Sequence, residues 1–298
     1  MKNNRTLFTF LFVMAIFLSF IFIYKPVENS IKPQTDKFVL RMFNSQTASV
    51  SELPLNDSLA KLFPQTFIFL ASTENKRLSA LMLYTLPRVV SGFDSMLAIV
   101  PHGNVTNLKI NEKTYGLTSK HIFGEDIELL DLMKEAGFNA NETKDLIVTS
   151  LKNAGQTTIN AELFDYLEPN ELEGSKCIIK AVNCYGGNNL PYQYEIKGTL
   201  HYLSPSEKLY LEQTATTSTG EKLIPVASEE LYYVRVPNNL SGKVFGMSGA
   251  SVIVTVKGKD YFLGMNTQRL SLAIKNATDT LWGTFMAIQP IVKSDIIK

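Results

Sequence analysis

The stretch KVFGMSGASVIV, residues 243 to 254, sets Ser248 between Gly246 and Gly249 and then runs into a β-branched, alternating segment. A serine hydroxyl attacks a carbonyl carbon only when a base removes its proton and donors stabilise the oxyanion that forms. Gly-x-Ser supplies the second requirement. With no side chain at Gly246, its N–H and that of Ser248 can turn towards one point, and Gly249 permits a tight exit into the strand. Taken alone the match is common, because about 7% of residues in ordinary proteins are glycine. The plainer alternative is a glycine-rich turn that happens to contain a serine.

A base must come from one of three histidines. His201 lies inside GTLHYLS, a strand-like segment where a half-buried, satisfied imidazole is usual, and His102 follows a proline at a turn tip, PHGN. His121 ends YGLTSKHIF, a β-like run that stops at the histidine and so presents a side chain from a strand end. His121 is therefore the candidate general base. The order histidine then serine excludes an α/β-hydrolase: no histidine follows Ser248, and the second position after it is Ala250 rather than glycine. The acid-histidine-serine order of subtilisin-like enzymes is open by order alone, but it requires an α/β sheet.

The elements that must hold these residues are mostly strands. From Met96 onward MLAIV, VTNLKI and YGLT are followed, after a gap, by CIIKAV, YQYEIKGTLHYL, KLYLEQT, LYYVRV, ASVIVTV, DYFLGM and GTFMAI, with Gly, Pro, Asn or Ser at the joints. Many short strands separated by turns argue for a barrel or sandwich rather than a parallel α/β sheet. Two segments read as helices and form a short helical insertion. DIELLDLMKEAGF (126 to 138) places its apolar residues on one broad face, and NETKDLIVTSLKNAG (141 to 155) has an Asn cap and a terminal Gly. A boundary falls near residues 170 to 176, at EPNELEGSK, while residues 38 to 90 are mixed in pattern and suggest no role.

Composition narrows the function. Lys plus Arg number 29 against 28 Asp plus Glu, a net charge of +1, so no basic excess exists to hold a phosphate backbone and nucleic acid is not expected as a partner. Leu7 to Tyr24 is an uncharged run of 18 residues preceded by Lys2 and Arg5, with no small-x-small cleavage site after it. It reads as a transmembrane helix with residues 1–6 cytoplasmic and the rest exported, periplasmic or extracellular. A cleaved signal peptide is the alternative. Lys25 to about Lys37 is a polar, proline-containing stalk.

Cys177 and Cys184 stand seven residues apart. Along one strand they would be roughly 23 Å apart at about 3.3 Å per residue. A bridge, which needs Cα atoms within about 7 Å, then requires the chain to double back; two buried thiols are the alternative. Two cysteines and three scattered histidines show no metal-ligand spacing, so neither metal nor cofactor is expected.

GLTSKH resembles the T-A-A-H motif of chymotrypsin-like (trypsin-fold) serine peptidases, GMSGASVIV with YFLGMNTQ resembles their G-D-S-G-G-P strand and the strand after it, and GTFMAIQPIVKSDIIK resembles their closing strand and terminal helix. The resemblance spans roughly residues 76 to 298. It implies two antiparallel six-stranded β-barrels, 76–172 with the helical insertion and 173–298, after a transmembrane helix (7–24) and a stalk and N-terminal extension (25–75). It further implies a membrane-anchored serine endopeptidase acting on polypeptides, with His121 as base, Ser248 as nucleophile and the Gly246 and Ser248 amides as oxyanion hole.

For the acid, Asp126 and Asp131 follow His121 by only five and ten residues and belong to the expected helix that starts there. Asp165, in AELFDYLEP, resembles the family's aspartate heading the last strand of the first barrel and is the choice; Asp145, inside the second expected helix, is the reserve. The resemblance also puts the substrate-pocket floor near Ser241 and Gly242 and a wall near Asn266 and Thr267. No carboxylate occupies these positions, which favours small or apolar substrate side chains over basic ones. Met247 stands where zymogen-activated relatives carry an aspartate that pairs with a freed N-terminus, so RVVSG (88 to 92) reads as an ordinary strand and turn. The rival classes are a catalytically silent, tethered peptide- or protein-binding module and a structural surface protein, the latter suggested only by N-x-S/T sequons at Asn56, Asn104, Asn141, Asn239 and Asn276.

Overall fold

A computed structural model describes residues 41–54, 65–71, 80–85, 99–123, 138–151, 159, 161–168, 170–183, 192–214, 216–217, 231–244, 246–275 and 280–297. The chain divides into two compact units, 1–45 and 46–298, and the second carries both sheets. β1 (Ser49–Pro54) belongs to the second sheet. The first sheet takes β2 (Gln65–Ala71), β3 (Ala80–Thr85), β4 (Ile99–Ile110), β5 (Lys113–Thr118), β6 (Phe138–Ala140) and β7 (Ile147–Leu151), in the spatial order β3-β2-β4-β5-β7-β6. All of its strand pairings are antiparallel.

The second sheet adds β8 (Glu162–Leu163), β9 (Lys176–Asn183), β10 (Tyr192–Thr199), β11 (His201–Leu203), β12 (Thr216–Thr217), β13 (Leu231–Val236), β14 (Ser251–Val256), β15 (Lys259–Lys275) and β16 (Thr280–Pro290). Its spatial order is β1-β10-β9-β14-β15-β16-β13-β11, with β8 and β12 also pairing with β15. Among the described residues it is accompanied by the helices α1 (Pro205–Thr214), α2 (Ser241–Val244) and α3 (Lys293–Ile296).

The mostly β architecture therefore holds, with corrections. Among the described residues the sheets have six and ten strands rather than six each, β8 runs parallel to β15, and Leu108 bridges Ile159 in parallel, while the other pairings are antiparallel. Residues 25–75, expected as stalk and extension, contain β1, paired with β10, and β2, paired with β3 and β4. β8 lies within 76–172 but joins the second sheet, so the two sheets do not divide at a single point in the sequence. The helix expected over 141 to 155 is instead an irregular loop followed by β7, because Ile147, Val148 and Thr149 are β-branched and pack well on a pleated surface. The expected helix over 126 to 138 lies outside the described residues except at Phe138, which opens β6. The expected membrane span, 7–24, and RVVSG also lie outside them; among the described residues no helix is long and apolar enough to cross a membrane.

Strand alternation explains how two cores share one pair of strands. Side chains of successive strand residues point to opposite faces. On β14, Val252 and Val254 enter a core built from the second sheet, while Ile253 packs on the other side against the cluster that holds Leu108, Leu117 and Val148 of the first sheet. On β15, Leu263 joins the former and Phe262 the latter, and the bulge at Leu263, where the register with β14 skips from Phe262 to Gly264, returns Met265 to the latter. β14 and β15 thus lie between the cores, and the turn that enters β14 must emerge where the two sheets meet.

β9 also settles one thiol. It runs as a continuous strand from Lys176 to Asn183, and Cys177 is free and only 3% exposed, while Cys184 lies outside the described residues. Burial pushes the Cys177 thiol up to about 12, so the reactive thiolate is scarce at neutral pH. Iodoacetamide at pH 8 is expected to leave Cys177 unmodified in the native protein and to alkylate it after unfolding in urea, as read by peptide mass mapping. Rapid native labelling at Cys177 would contradict this burial.

Candidate active site

The turn that carries Ser248 is shaped before any chemistry is considered. It links α2 to β14, and its backbone reverses through Gly246 (φ 88°) and Gly249 (φ 82°). The Met247 side chain, fully buried, anchors the turn in the second core, and its N–H donates to the Val244 carbonyl at 3.0 Å. Met247 thus takes an apolar place in which no ion pair is formed. On the far side the turn docks on β4: the Asn104 N–H donates to the Ser248 carbonyl at 2.6 Å, and Thr106 Oγ1 donates to the Gly249 carbonyl at 2.9 Å. A Cβ on Gly249 would lie 2.0 Å from the Asn104 carbonyl oxygen, so the approach itself requires glycine.

His121 sits on a 3-10 turn, Lys120–Phe123, that follows β5 directly. Its Nε2 lies 3.0 Å from Ser248 Oγ across 127 positions of chain. Its Nδ1 lies 2.6 Å from Asp145 Oδ2, and its backbone N–H donates to Asp145 Oδ1 at 2.8 Å. The carboxylate engages the residue twice and accepts Nδ1–H, which leaves the Nε2 lone pair facing the serine hydroxyl. Burial is graded along the line: the Asp145 side chain is 5% exposed and the His121 ring 48%. The imidazole can therefore meet an incoming molecule while its orienting carboxylate stays dry.

Asp165, chosen from the sequence, is not the acid at this ring. It follows β8 at the surface, 86% exposed, and its Oδ1 faces Lys293 Nζ at 3.3 Å. Asp145, the reserve, reaches the ring because its segment is a loop rather than a helix. Asn141 Oδ1 accepts the N–H groups of Thr143 and Lys144, both at 3.0 Å, so the Asn read as a helix cap instead closes a side-chain-to-backbone turn. Leu146, fully buried, pins the loop to the first sheet's core.

The acid loop is also tied to the end of β16. The Asp145 N–H donates to Gln289 Oε1 at 2.9 Å, and Lys144 Nζ donates to the Pro290 carbonyl at 3.1 Å and pairs with Asp295 Oδ2 at 2.5 Å. Sequence reasoning missed Gln289. Its only signal is an amide at position 289 at the end of the apolar run FMAI in GTFMAIQPIV.

The remaining expected residues divide. Thr267 opposes no residue of β16, because the register skips from Asn266 to Gln268; such a bulge re-aims the backbone, and the Thr267 carbonyl accepts from Ser248 Oγ at 3.3 Å. Asn266 does not present a pocket wall. It is 1% exposed and its Nδ2 donates to the Met247 carbonyl at 3.1 Å, bracing the turn that carries Ser248. Ser241 and Gly242 open α2, with Gly242 exposed.

Among the described residues no group accepts a hydrogen bond from the Gly246 or Ser248 amides. His201 is bonded through Nδ1 to Glu173 at 2.8 Å and stacks on Tyr233, a structural histidine. The His102 side chain lies outside the described residues. Among the described residues no cluster of three or more His, Cys, Asp and Glu could hold a metal ion.

Among solved structures, the chain is similar to catalytically active tobacco etch virus protease complexed with product, at 8% identity and a TM-score of 0.34, covering 80% of this chain and 77% of that one. It is also similar to AlgW, an HtrA-type protease carrying a serine-to-alanine substitution and bound to a decapeptide, at 12% identity and a TM-score of 0.34, covering 79% of this chain but 63% of that one. No family model and no curated protein sequence matches the chain.

The close approach at Gly249 generates a test of the turn. At Gly258 (φ 77°) a Cβ would meet nothing within 4 Å, so Gly258→Ala carries only left-handed backbone strain, about 1–2 kcal/mol. Gly249→Ala adds a backbone collision and is expected to cost at least about 2 kcal/mol more in urea denaturation. Equal losses at the two positions would contradict the docking described.

Proposed function

We propose that this chain is a serine endopeptidase of chymotrypsin-like type that hydrolyses peptide bonds through an acyl-enzyme without a cofactor. The observation that carries the reading is the unbroken line from Asp145 through both ring nitrogens of His121 to Ser248 Oγ, at 2.6 and 3.0 Å. A structural histidine needs one satisfied nitrogen. Here the second nitrogen meets a hydroxyl on a turn whose Gly246 and Ser248 amides have no partner among the described residues.

In this mechanism His121 Nε2 removes the Ser248 proton as Oγ bonds to the scissile carbonyl carbon. Negative charge moves to the carbonyl oxygen, which the Gly246 and Ser248 amides receive. Asp145 holds the imidazole in the Nδ1–H tautomer and stabilises the imidazolium. His121 then gives the proton to the leaving amine nitrogen as the C–N bond breaks, leaving an ester on Ser248. Water, deprotonated by His121, attacks that ester, and the proton returns to Oγ as the carboxylic product leaves. The Thr267 carbonyl offers the hydroxyl an alternative acceptor at rest. We place the substrate side chain near Ser241, Gly242 and Thr267, where the absence of a carboxylate favours small or apolar groups.

The uncharged Leu7–Tyr24 run supports a single-pass anchor with the peptidase domain outside the cytoplasm. Retention of the full chain in the membrane pellet through an alkaline carbonate wash is the expected result; release into the supernatant would remove the anchor from the proposal.

For the chemistry, the full chain is treated with a fluorophosphonate and the adduct is mapped by mass spectrometry. Modification confined to Ser248 and abolished by His121→Ala is expected. Asp145→Asn is expected to slow labelling by about 10,000-fold, the cost of the wrong tautomer, while Asp165→Asn labels at the native rate. Failure of the folded native chain to label would favour a silent, peptide-binding domain.

A further inference from the structure

The side chain of Asn104 occupies a place in the structure that neither the strand pattern nor the proposed triad accounts for. It lies on β4 and is 1% exposed, yet all of its polar groups are engaged. Oδ1 accepts the Val182 N–H at 2.8 Å and Nδ2 donates to the Val182 carbonyl at 3.1 Å, so the amide side chain pairs with β9 as a strand residue would. β14 pairs with β9 only as far as Ser251 opposite Lys180, so the Asn104 side chain takes over the ladder two residues further along β9, where β14 has turned away. Nδ2 also donates to the Gly246 carbonyl at 3.0 Å. The backbone is committed as well: its N–H donates to the Ser248 carbonyl and its carbonyl accepts from Thr118 Oγ1 at 2.8 Å.

We propose that Asn104 is a positioning residue for the nucleophile turn, fixing the Gly246–Met247 peptide so that the two unpartnered amides are held ready for an oxyanion before substrate arrives. This inference rests on the hydrolase reading of Ser248. The physical reason lies in Gly246: with no side chain, its ψ is restrained by the two ends of the peptide that follows, the Met247 N–H on Val244 and the Gly246 carbonyl on Asn104, and a peptide released at the carbonyl could rotate and turn the neighbouring amides away from a common point. A single side chain that donates to this carbonyl while locked on Val182 transmits the rigidity of β9 to the turn. A buried polar network with every member satisfied supplies this directional hold, which apolar packing of Met247 alone does not. Burial also means that the Asn-Val-Thr sequon at Asn104 is not a glycan acceptor in the folded chain.

The test measures phosphonylation of the full chain by a fluorophosphonate, in which Ser248 Oγ bonds to phosphorus as fluoride leaves, separating the limiting rate constant from the concentration for half-saturation. Asn104→Ala is expected to lower the limiting rate about 10- to 100-fold, part of the loss expected when an oxyanion donor is removed, with the half-saturating concentration changed less than about twofold. Leu108→Ala, in the fully buried first-sheet core, is the control for destabilisation alone and is expected to label at the native rate while folded. Should Asn104→Ala not fold, Asn104→Ser is measured instead. Its hydroxyl is too short to span both Val182 and Gly246, and the same loss is expected. A folded Asn104 variant that is phosphonylated at the native limiting rate, or a slowing matched by Leu108→Ala, overturns the proposal. Absence of labelling in the native chain overturns the hydrolase reading instead, so the two failures are distinct.

Discussion

The site depends on one backbone contact between the sheets: the Ser248–Gly249 segment lying against Asn104 of β4. Its geometry is set by hydrogen bonds, from the Asn104 N–H to the Ser248 carbonyl at 2.6 Å and from Thr106 Oγ1 to the Gly249 carbonyl at 2.9 Å, and by the lack of any Cβ at Gly249. Apolar cores pull the sheets together without choosing a register to better than a side chain's width. Directional bonds to the main chain do choose one, and leaving any of them unmade in a dry seam would cost about 1–3 kcal/mol. The separation of Ser248 from His121, whose turn grows from β5 beside β4, follows from that choice.

Each remaining part is held by the element next to it. Asp145 is fixed from both sides, by the first-sheet core through Leu146 and by the end of β16 through Gln289, so the carboxylate cannot follow solvent away from the ring. The bulge at Thr267 turns a carbonyl of β15 towards Ser248 without interrupting the long β15–β16 ladder, which continues from Gln268 to Lys275. Rigidity is concentrated at the dry end of the line. The half-exposed imidazole and the serine remain open to an arriving chain.

What is legible in the sequence follows what is local. Ser248 stands out because glycines flank it and a β-branched strand follows; His121 does because the chain holds only three histidines and one of them ends a strand. The carboxylate misleads for a local reason as well. Asn141 with the apolar residues behind it satisfies the rule for a capped helix, and only the tertiary pairing of β7 with β5 and β6 draws Ile147–Leu151 into a strand and frees Asp145 to face back. Asp165 fits the acid's place only if β8 belongs to the first sheet, whereas its two residues pair with β15. β1 and β2 carry no readable signal. Their segments show little alternation, the partner of β1 lies far along the chain, and β2, although it pairs with the next strand, β3, is a continuous apolar run that fits a buried helix as well as a strand. Asn104 and Gln289 are illegible in the same sense, since a buried amide looks like any other until its partners are known.

The most direct measurement is a crystal structure of the full chain after reaction with a fluorophosphonate. The account predicts a covalent bond from Ser248 Oγ to phosphorus, with the phosphoryl oxygen about 3 Å from both the Gly246 and Ser248 amides, and His121 still bridging to Asp145. An adduct whose phosphoryl oxygen points to solvent, or one on another side chain while Ser248 is unmodified, would contradict it.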